Sequence, residues 1–327
     1  MSKRILITGA NGFLGSHIVL KAKEKKYKIR VLVRDNSDLT NLSGLDVEYH
    51  RADLRNLQSL KNACEKCDEI FHVAADYRLW AKKPSEIYES NVLGTHNILE
   101  IAKEKNIKLI YTSSVATLGI NQNGEANEET KVDLSSMIGD YKKSKYIAEK
   151  MVIDYILDER VKCIIVNPST PIGPGDIKPT PTGNIIFQML IGKMPAYVNT
   201  GLNIVDVRDV AEGHFLASDK GKIGEKYILG GENLLFKDFL NMIAEIANVR
   251  SPNICLPTTP LYPLAFLNEF IASCLPNYEP MLTCDGLKMS EKKMFFSSEK
   301  AKKELGYRPS NIKNAISDAV KWFQKSF

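Results

Sequence analysis

Tyr141 and Lys145 stand four residues apart at the start of a stretch with helical periodicity, Tyr141 to Asp158. Residues with that spacing share one face of a helix. A tyrosine has an unperturbed pKa of about 10, too high for ready proton exchange at neutral pH. A lysine charge about 4 Å away contributes about 4 kcal/mol at an effective dielectric of about 20. At about 1.4 kcal/mol per unit, that lowers the phenol pKa by up to about three units. A tyrosine so tuned can trade a proton with an alcohol or carbonyl oxygen. Ser114 closes the run Tyr111-Thr112-Ser113-Ser114 at the end of a predicted strand, where its hydroxyl would polarise the same oxygen. Taken singly, the pair reads as an exposed helix couple and the serines as turn chemistry. Together they form a proton-transfer constellation.

A proton donor of this kind needs a hydride partner, and the N-terminus supplies the place for one. Thr8-Gly9-Ala10-Asn11-Gly12-Phe13-Leu14-Gly15 follows the apolar run Ile5-Leu6-Ile7 and opens a predicted helix, Ser16 to Lys25. The order is strand, glycine turn, helix. Free N–H groups at a helix start attract phosphate. Glycines permit the turn, the close approach of a pyrophosphate and tight helix–strand packing. The turn therefore predicts a bound dinucleotide whose nicotinamide exchanges hydride. Arg34 and Asp35 follow the second predicted strand, Lys28 to Val33. An arginine there suits a 2′-phosphate and a carboxylate suits a free ribose hydroxyl. Arg34 comes first, so NADP is the preferred cofactor over NAD. The alternative has Arg34 stacked on adenine and Asp35 turned to the ribose.

Further short apolar strands are predicted at Val47 to His50, Glu69 to Val73, Ile107 to Tyr111 and Val161 to Val166, alternating with helices such as Ile87 to Lys105. Such alternation builds an α/β fold, a Rossmann-type doubly wound parallel sheet with ligands beyond the strands' carboxyl ends. After Val166 the texture changes. Asn167 to Thr182 is rich in Pro, Gly and Thr and reads as an ordered loop. Helices are predicted at Asn184 to Gly192 and Phe236 to Ala247. The expected division is residues 1–166, mainly the dinucleotide-binding domain, and 167–327, mainly a smaller mixed α/β substrate lobe. A segment at about 204–220 is expected to return to the first domain.

Composition is that of an ordinary globular chain: 327 residues, 44% hydrophobic, 25% charged. Lys+Arg exceed Asp+Glu by 44 to 39, a net +5 too small and scattered to argue for nucleic acid. The densest basic run, Lys21 to Lys28, reads as a solvated face. No signal peptide is expected, because the first strand begins at once. No apolar stretch reaches membrane-spanning length. Leu261 to Leu275 comes nearest, interrupted by Asn268 and Glu269; it reads as a substrate-lobe helix, with a lipid-facing surface as the alternative. Cys64 and Cys67 lack the second ligand pair of a zinc ribbon, so no metal is expected. Cys163 falls in a predicted core strand. All six cysteines are read as reduced thiols of a cytoplasmic protein.

These pieces, together with Ala52-Asp53-Leu54, His72-Val73-Ala74-Ala75, Asn167-Pro168 and Asp206-Val207-Arg208-Asp209-Val210, run in an order that resembles the extended short-chain dehydrogenase/reductase family. Ala74 to Trp80, Asn167 to Asp176 and Lys293 to Phe296 resemble its dihydroflavonol reductase-like group, including the bacterial branch described as hopanoid-associated sugar epimerases. The resemblance implies that Asp53 and Leu54 meet the adenine, and that Ala74 and Ala75 line the path to the nicotinamide ribose. Lys145 would bond that ribose as well as tune Tyr141, and Thr112, Pro168 and Thr170 would also border the cofactor. Asn167 would lie near both nicotinamide and substrate. Family dehydratases carry Asp-Glu after the strand-end Thr/Ser. Here Val115 and Ala116 follow Ser114, which takes dehydration out of the expectation.

Asp76, Tyr77, Arg78 and Trp80 follow a strand end and either enter the cleft, holding a ring or polar head group, or pack between lobes. Thr180, Thr182 and Asn184 are substrate candidates with the same alternative. Phe295 and Phe296 are expected beneath the lobes. The leading expectation is an NADP-linked reductase acting on a carbonyl or secondary alcohol. The second is an NAD-dependent nucleotide-sugar epimerase with the same triad, linked through the resemblance to hopanoid lipid biosynthesis. A third, a redox-sensing binding protein, would carry a broken triad. A homodimer through the long helices Ile87 to Lys105 and Tyr141 to Asp158 is implied by the resemblance. Ile147, Met151, Ile153 and Tyr155 would serve that face or the sheet equally.

Overall fold

The computed structural model describes residues 2–121, 124–275, 278, 280 and 282–326. Its first half alternates as expected: β1 (Arg4–Thr8), α1 (Phe13–Glu24), β2 (Lys28–Val33), β3 (Glu48–Arg51), α2 (Leu57–Ala63), β4 (Glu69–His72), α3 (Ser85–Tyr88), α4 (Gly94–Glu104), β5 (Lys108–Thr112), α5 (Gly139–Leu157) and β6 (Cys163–Pro168). The later elements are β7 (Thr170–Ile172), α6 (Pro181–Leu190), β8 (Ala196–Val198), β9 (Gly201–Asp206), α7 (Val207–Lys220), β10 (Lys226–Leu229), β11 (Glu232–Leu235), α8 (Phe236–Ala247), β12 (Ile254–Leu256), α9 (Tyr262–Cys274), α10 (Cys284–Ser290), β13 (Lys293–Met294), α11 (Glu299–Leu305) and α12 (Ile312–Ser326).

A seven-stranded sheet in the order β3-β2-β1-β4-β5-β6-β10 forms the centre. Every neighbouring pair is parallel. The order reverses between β1 and β4, the switch point where a crevice opens at the strands' carboxyl ends. Helices cover both faces, so the strands are apolar along their length. One face packs Ile5, Ile7, Val31 and Phe71 against α1 and α7; the other packs Leu6, Ile70, Leu109 and Ile165 against α2, α4 and α5. Cys163 is buried in the second of these layers.

The smaller lobe has its own core, in which α6, α8 and α12 pack around Ile172 and Ile204. Its sheet is built on β9, paired antiparallel with β11 and parallel with β7 and β13. The chain crosses back through α7, β10 and α11, whose Phe215, Tyr227 and Leu305 join the first domain's core.

Two local expectations are corrected. The 167–182 stretch is not one loop: β6 runs on to Pro168, β7 pairs Thr170 with Ile204, and α6 starts at Pro181. Nor is Ile87 to Lys105 one regular helix. A π-helical segment, Glu89–Leu93, separates α3 from α4 and turns Asn91 inward. Such segments relax the helix ladder and recur at functional sites.

Candidate active site

The glycine turn has the shape a pyrophosphate needs. Gly9 sits at φ +67°, and a Cβ there would lie 2.7 Å from the Ala74 backbone. A Cβ on Gly15 would lie 2.0 Å from the Gly9 carbonyl oxygen. Gly12 is the exposed N-cap of α1, with no side-chain cap and no acidic residue in the first turn. The helix therefore presents N–H groups and its positive end to a crevice that only glycines leave open. Asn11 donates to the Asp38 carbonyl (3.1 Å), Phe13 packs edge-on against His17, and Leu14 anchors the helix to the core.

At the neighbouring strand ends, Arg34 is exposed and its guanidinium has no hydrogen bond or ion pair among the described residues. Asp35 instead pairs with Arg51 at 3.3 Å. Both Asp53 carboxylate oxygens are held by Arg55, at 3.0 and 2.7 Å, and that partner keeps the carboxyl below its usual pKa. Leu54 packs against Gly94, and its carbonyl accepts from Asn97 (2.7 Å).

Ala74 and Ala75 follow β4 and are fixed from below. The N–H groups of Val73 and Ala74 donate to Thr8 Oγ1, at 3.1 Å each. Thr8 Oγ1 meets His72 Nδ1 (2.8 Å), and His72 Nε2 meets Thr95 Oγ1 (3.2 Å). Thr95 spends its own proton on the Asn91 carbonyl (2.6 Å), so His72 carries its proton on Nε2 and accepts from Thr8. Burial, followed by the Lys145 charge, pushes His72 down to about 3, so it is neutral. The Tyr111 ring lies beside that of His72, with centroids 5.9 Å apart, and its hydroxyl accepts from Lys145 Nζ at 3.2 Å. Hydrogen bonds and one ring contact thus lead from the glycine turn to Lys145.

Lys145 is buried, donates to the Thr112 carbonyl (2.8 Å) and lies 4.8 Å over the Tyr111 ring. Burial lowers it to about 8, opposed by the nearby Glu149 charge. Tyr141 lies one turn earlier and is half-buried. Burial raises its pKa, opposed by a hydrogen bond with Ser114. This differs from the expected depression by Lys145, whose ammonium is engaged by Tyr111 and Thr112. Ser114 Oγ accepts from the Ala116 N–H at 3.1 Å. Thr112 places its hydroxyl on His214 Nε2 (2.9 Å), away from the crevice.

Glu149, which the sequence reading missed, organises this wall. It follows Lys145 by one turn and Tyr141 by two. Its carboxylate accepts from Ser113, from Thr117 Oγ1 (2.7 Å), from Asn167 Nδ2 (2.9 Å) and from Lys226 Nζ (2.6 Å). Burial would raise its pKa, but Lys226 and the hydroxyls hold it low. Asn91 was missed as well. Its Nδ2 donates to the Asp76 carbonyl (2.8 Å) and Ser144 Oγ (2.9 Å), and its Oδ1 takes the Asp76 N–H (2.7 Å). The Ala74–Asp76 segment is thereby pinned to α5. The local signal was Gly94, a helix-weakening residue three after Asn91 in a predicted helix.

The substrate candidates divide. Asn167 is buried, donates to the Ser114 carbonyl (3.0 Å) and, among the described residues, its Oδ1 has no hydrogen-bond partner, nor does Ser169 Oγ. These two buried polar atoms flank the carboxyl end of β6, Asn167 inside the strand and Ser169 just past it. Pro168 and Thr170 border the same edge. Asp76 is turned to Arg78 at 2.6 Å, while Tyr77 is exposed and Trp80 half-buried. Thr180 caps α6 by accepting from Gly183 N–H (3.1 Å) and donates to Asp176 (2.7 Å). Thr182 is buried in that helix, and Asn184 accepts from Gln188 (3.2 Å). Phe296 is buried and Phe295 lies against Gly201. Among the described residues no cluster suited to a metal ion occurs, and no helix is long and apolar enough to cross a membrane.

A doubly wound sheet, a glycine-lined crevice at its switch point and a tyrosine–serine–lysine set on its rim define a dinucleotide-dependent oxidoreductase. The profile of the family described as NAD dependent epimerase/dehydratase matches residues 5–230. The chain is 43% identical over 330 residues to a Synechocystis protein named "Putative dihydroflavonol 4-reductase", covering 99% of this chain and 95% of that one. It is 30% identical over 324 residues to "Sterol demethylase protein B" of Methylococcus capsulatus, covering 98% of each. The crystal structure of gox2253 superposes with a TM-score of 0.88 at 48% identity, covering 99% of this chain and 98% of the other. The chain belongs to the NAD dependent epimerase/dehydratase family, the extended short-chain dehydrogenases/reductases. It is an NAD(P)-dependent oxidoreductase with a small-molecule substrate.

Proposed function

We propose that this enzyme interconverts a carbonyl and a secondary alcohol, with NADP as the preferred dinucleotide. The observation that carries the reading is Tyr141 and the buried Lys145 one turn apart on α5, with Lys145 tied to the Thr112 carbonyl two residues before Ser114. The nicotinamide, when bound, supplies or takes the hydride at C4. Gly9, Asn11, Gly12, Phe13, Leu14 and Gly15 would hold the pyrophosphate end, and Ala74, Ala75 and Pro168 the nicotinamide end. In reduction, Tyr141 gives its phenolic proton to the carbonyl oxygen as that oxygen gains negative charge. Ser114 holds the oxygen in line, and Lys145, tied to Tyr111 and the Thr112 carbonyl, would bind the nicotinamide ribose beside it. Oxidation reverses each transfer. The raised Tyr141 pKa suits a proton donor.

The dihydroflavonol and sterol in two relatives' names suggest a bulky ring-bearing substrate. Tyr77 and Trp80, which follow β4, are the aromatic candidates to meet it. An Arg34 guanidinium without a hydrogen bond or ion pair among the described residues, and Asp35 engaged by Arg51, support the 2′-phosphate preference. NADPH should bind more tightly than NADH; the opposite order would overturn that preference. The reading includes a cytoplasmic setting and a homodimer through α4 and α5, which sedimentation as a monomer would remove.

Tyr141→Phe tests the chemistry. NADPH-dependent turnover of a carbonyl substrate should fall about 10²–10⁴-fold with dinucleotide binding retained. Unchanged turnover would reject the assignment. Turnover with a retained dinucleotide and no net redox change would point instead to epimerase chemistry, which the family description includes.

A further inference from the structure

α9 is an amphipathic helix turned inside out. Its enclosed side chains are the alanines Ala265 and Ala272, two turns apart. Its large apolar residues, Leu264, Phe266, Leu267, Phe270 and Ile271, face solvent, as does Leu275 just beyond; Phe266 is 68% exposed and Phe270 59%. At about 100° per residue they sweep roughly half the circumference. The two polar side chains near the middle are engaged elsewhere. Glu269 accepts from the Cys284 N–H (2.9 Å) and Asn268 from Tyr278 Oη (2.7 Å). The outward arc therefore carries no charge. A surface helix of a stable monomer shows the reverse arrangement, and a contiguous exposed apolar patch marks an interaction site.

What surrounds the arc identifies its partner. α10 runs antiparallel beside α9: Cys284 meets Glu269 midway, and Glu291 accepts from Tyr262 Oη (2.9 Å) at the start of α9. Along this flank Lys288, Lys292 and Lys293 are exposed and form no ion pair among the described residues. The hairpin also reaches the catalytic helix, because a Cβ on Gly139 would lie 3.0 Å from Asp285 Oδ2. We propose that α9 lies flat on a membrane surface bearing anionic headgroups. Its apolar arc enters the acyl–headgroup boundary and the flanking lysines meet the phosphates. The site opening beside Tyr141 is thereby brought to the lipid. A second copy of the chain fits less well: a stable dimer takes about 20–30 residues a side, and this arc presents six large side chains.

Flotation of the full chain with phosphatidylcholine vesicles, with and without phosphatidylglycerol, tests the assignment. The wild type should float with the phosphatidylglycerol vesicles about tenfold better than with phosphatidylcholine alone, and salt should weaken this. Phe266→Glu with Phe270→Glu should cut vesicle binding at least about tenfold and leave the melting temperature unchanged, since neither side chain packs inward. A wild type that stays unbound, or a double variant that floats equally well, would overturn the proposal. So would a dimer that the double variant dissociates without any vesicle binding by the wild type.

Discussion

α5 and α9 break the usual distribution of side chains in opposite directions. α5 buries a lysine and a glutamate, Lys145 and Glu149. α9 exposes phenylalanines and leucines and hides its alanines. In α5 each inward charge is answered: Glu149 by Ser113, Thr117, Asn167 and Lys226, and Lys145 by Tyr111 and Thr112. In α9 nothing among the described residues answers the outward side chains. A buried charge persists only where partners are built around it, and such partners also fix geometry. Exposed apolar area costs about 25 cal/mol per Å² and is offset only from outside the chain. The first helix thus carries the proposed chemistry, and the second the proposed membrane contact.

Glu149→Gln should break this contrast most severely. Both carboxylate oxygens face donors, so the amide must turn its NH₂ toward either Lys226 or the Ser113–Thr117–Asn167 group. Breaking a buried pair costs about 3–5 kcal/mol; the Lys226 side chain is 25% exposed, so about 3 is expected in a denaturation midpoint. The pH profile separates positioning from mere folding. In the proposed reaction Lys145 acts protonated; burial has already lowered it to about 8, and Glu149 is the influence holding it up. Removing that anion lowers it further, so the alkaline loss of reductase turnover should begin at lower pH. A destabilised variant with an unmoved alkaline limb would make Glu149 purely structural. The wild-type contribution has the opposite dependence. The Glu149 pKa is depressed on folding, so its stabilisation is present above the unfolded carboxylate pKa and fades as pH falls through the folded one.

Ala265→Leu probes the other helix on its hidden side. Ala265 is fully enclosed, and three added carbons must displace the lobe beneath it. Overpacking of this kind costs about 1–3 kcal/mol, measurable as a lowered melting temperature. If the variant were as stable as the wild type, α9 would not be seated on its alanine line, and the inverted arrangement would lose its basis.

Local spacing made part of this legible. Gly9, Gly12 and Gly15, the Tyr141–Lys145 pair and strand-end Ser114 each announce themselves within a few residues, and α8 has the predicted limits Phe236–Ala247. Glu149 did not, because a carboxylate four residues after a lysine reads as a surface pair, while its partners Ser113 and Lys226 lie 36 and 77 residues away. β7 was hidden by Pro171 and the glycines that follow; its pairing with β9 comes from the other side of the lobe. α9 was legible as a helix but not in orientation. Alanine and leucine both count as apolar, so periodicity cannot tell which arc meets the protein.

That ambiguity makes the smallest expected effect the most discriminating. Phe270→Ser on α9 removes a large aromatic from a position that is 59% exposed. If the ring served the core, its loss would cost several kcal/mol, as about 3–5 does for buried Phe→Ala. With the ring facing outward, the change should stay within about 0.5 kcal/mol, and helix propensity adds little to it, since serine and phenylalanine rank close together. A near-silent melting curve beside the marked loss from Ala265→Leu would show that the large side chains of this helix contribute little to the fold. A loss as large as that from Ala265→Leu would instead mean that the ring packs inward, and the contrast between α5 and α9 would fail.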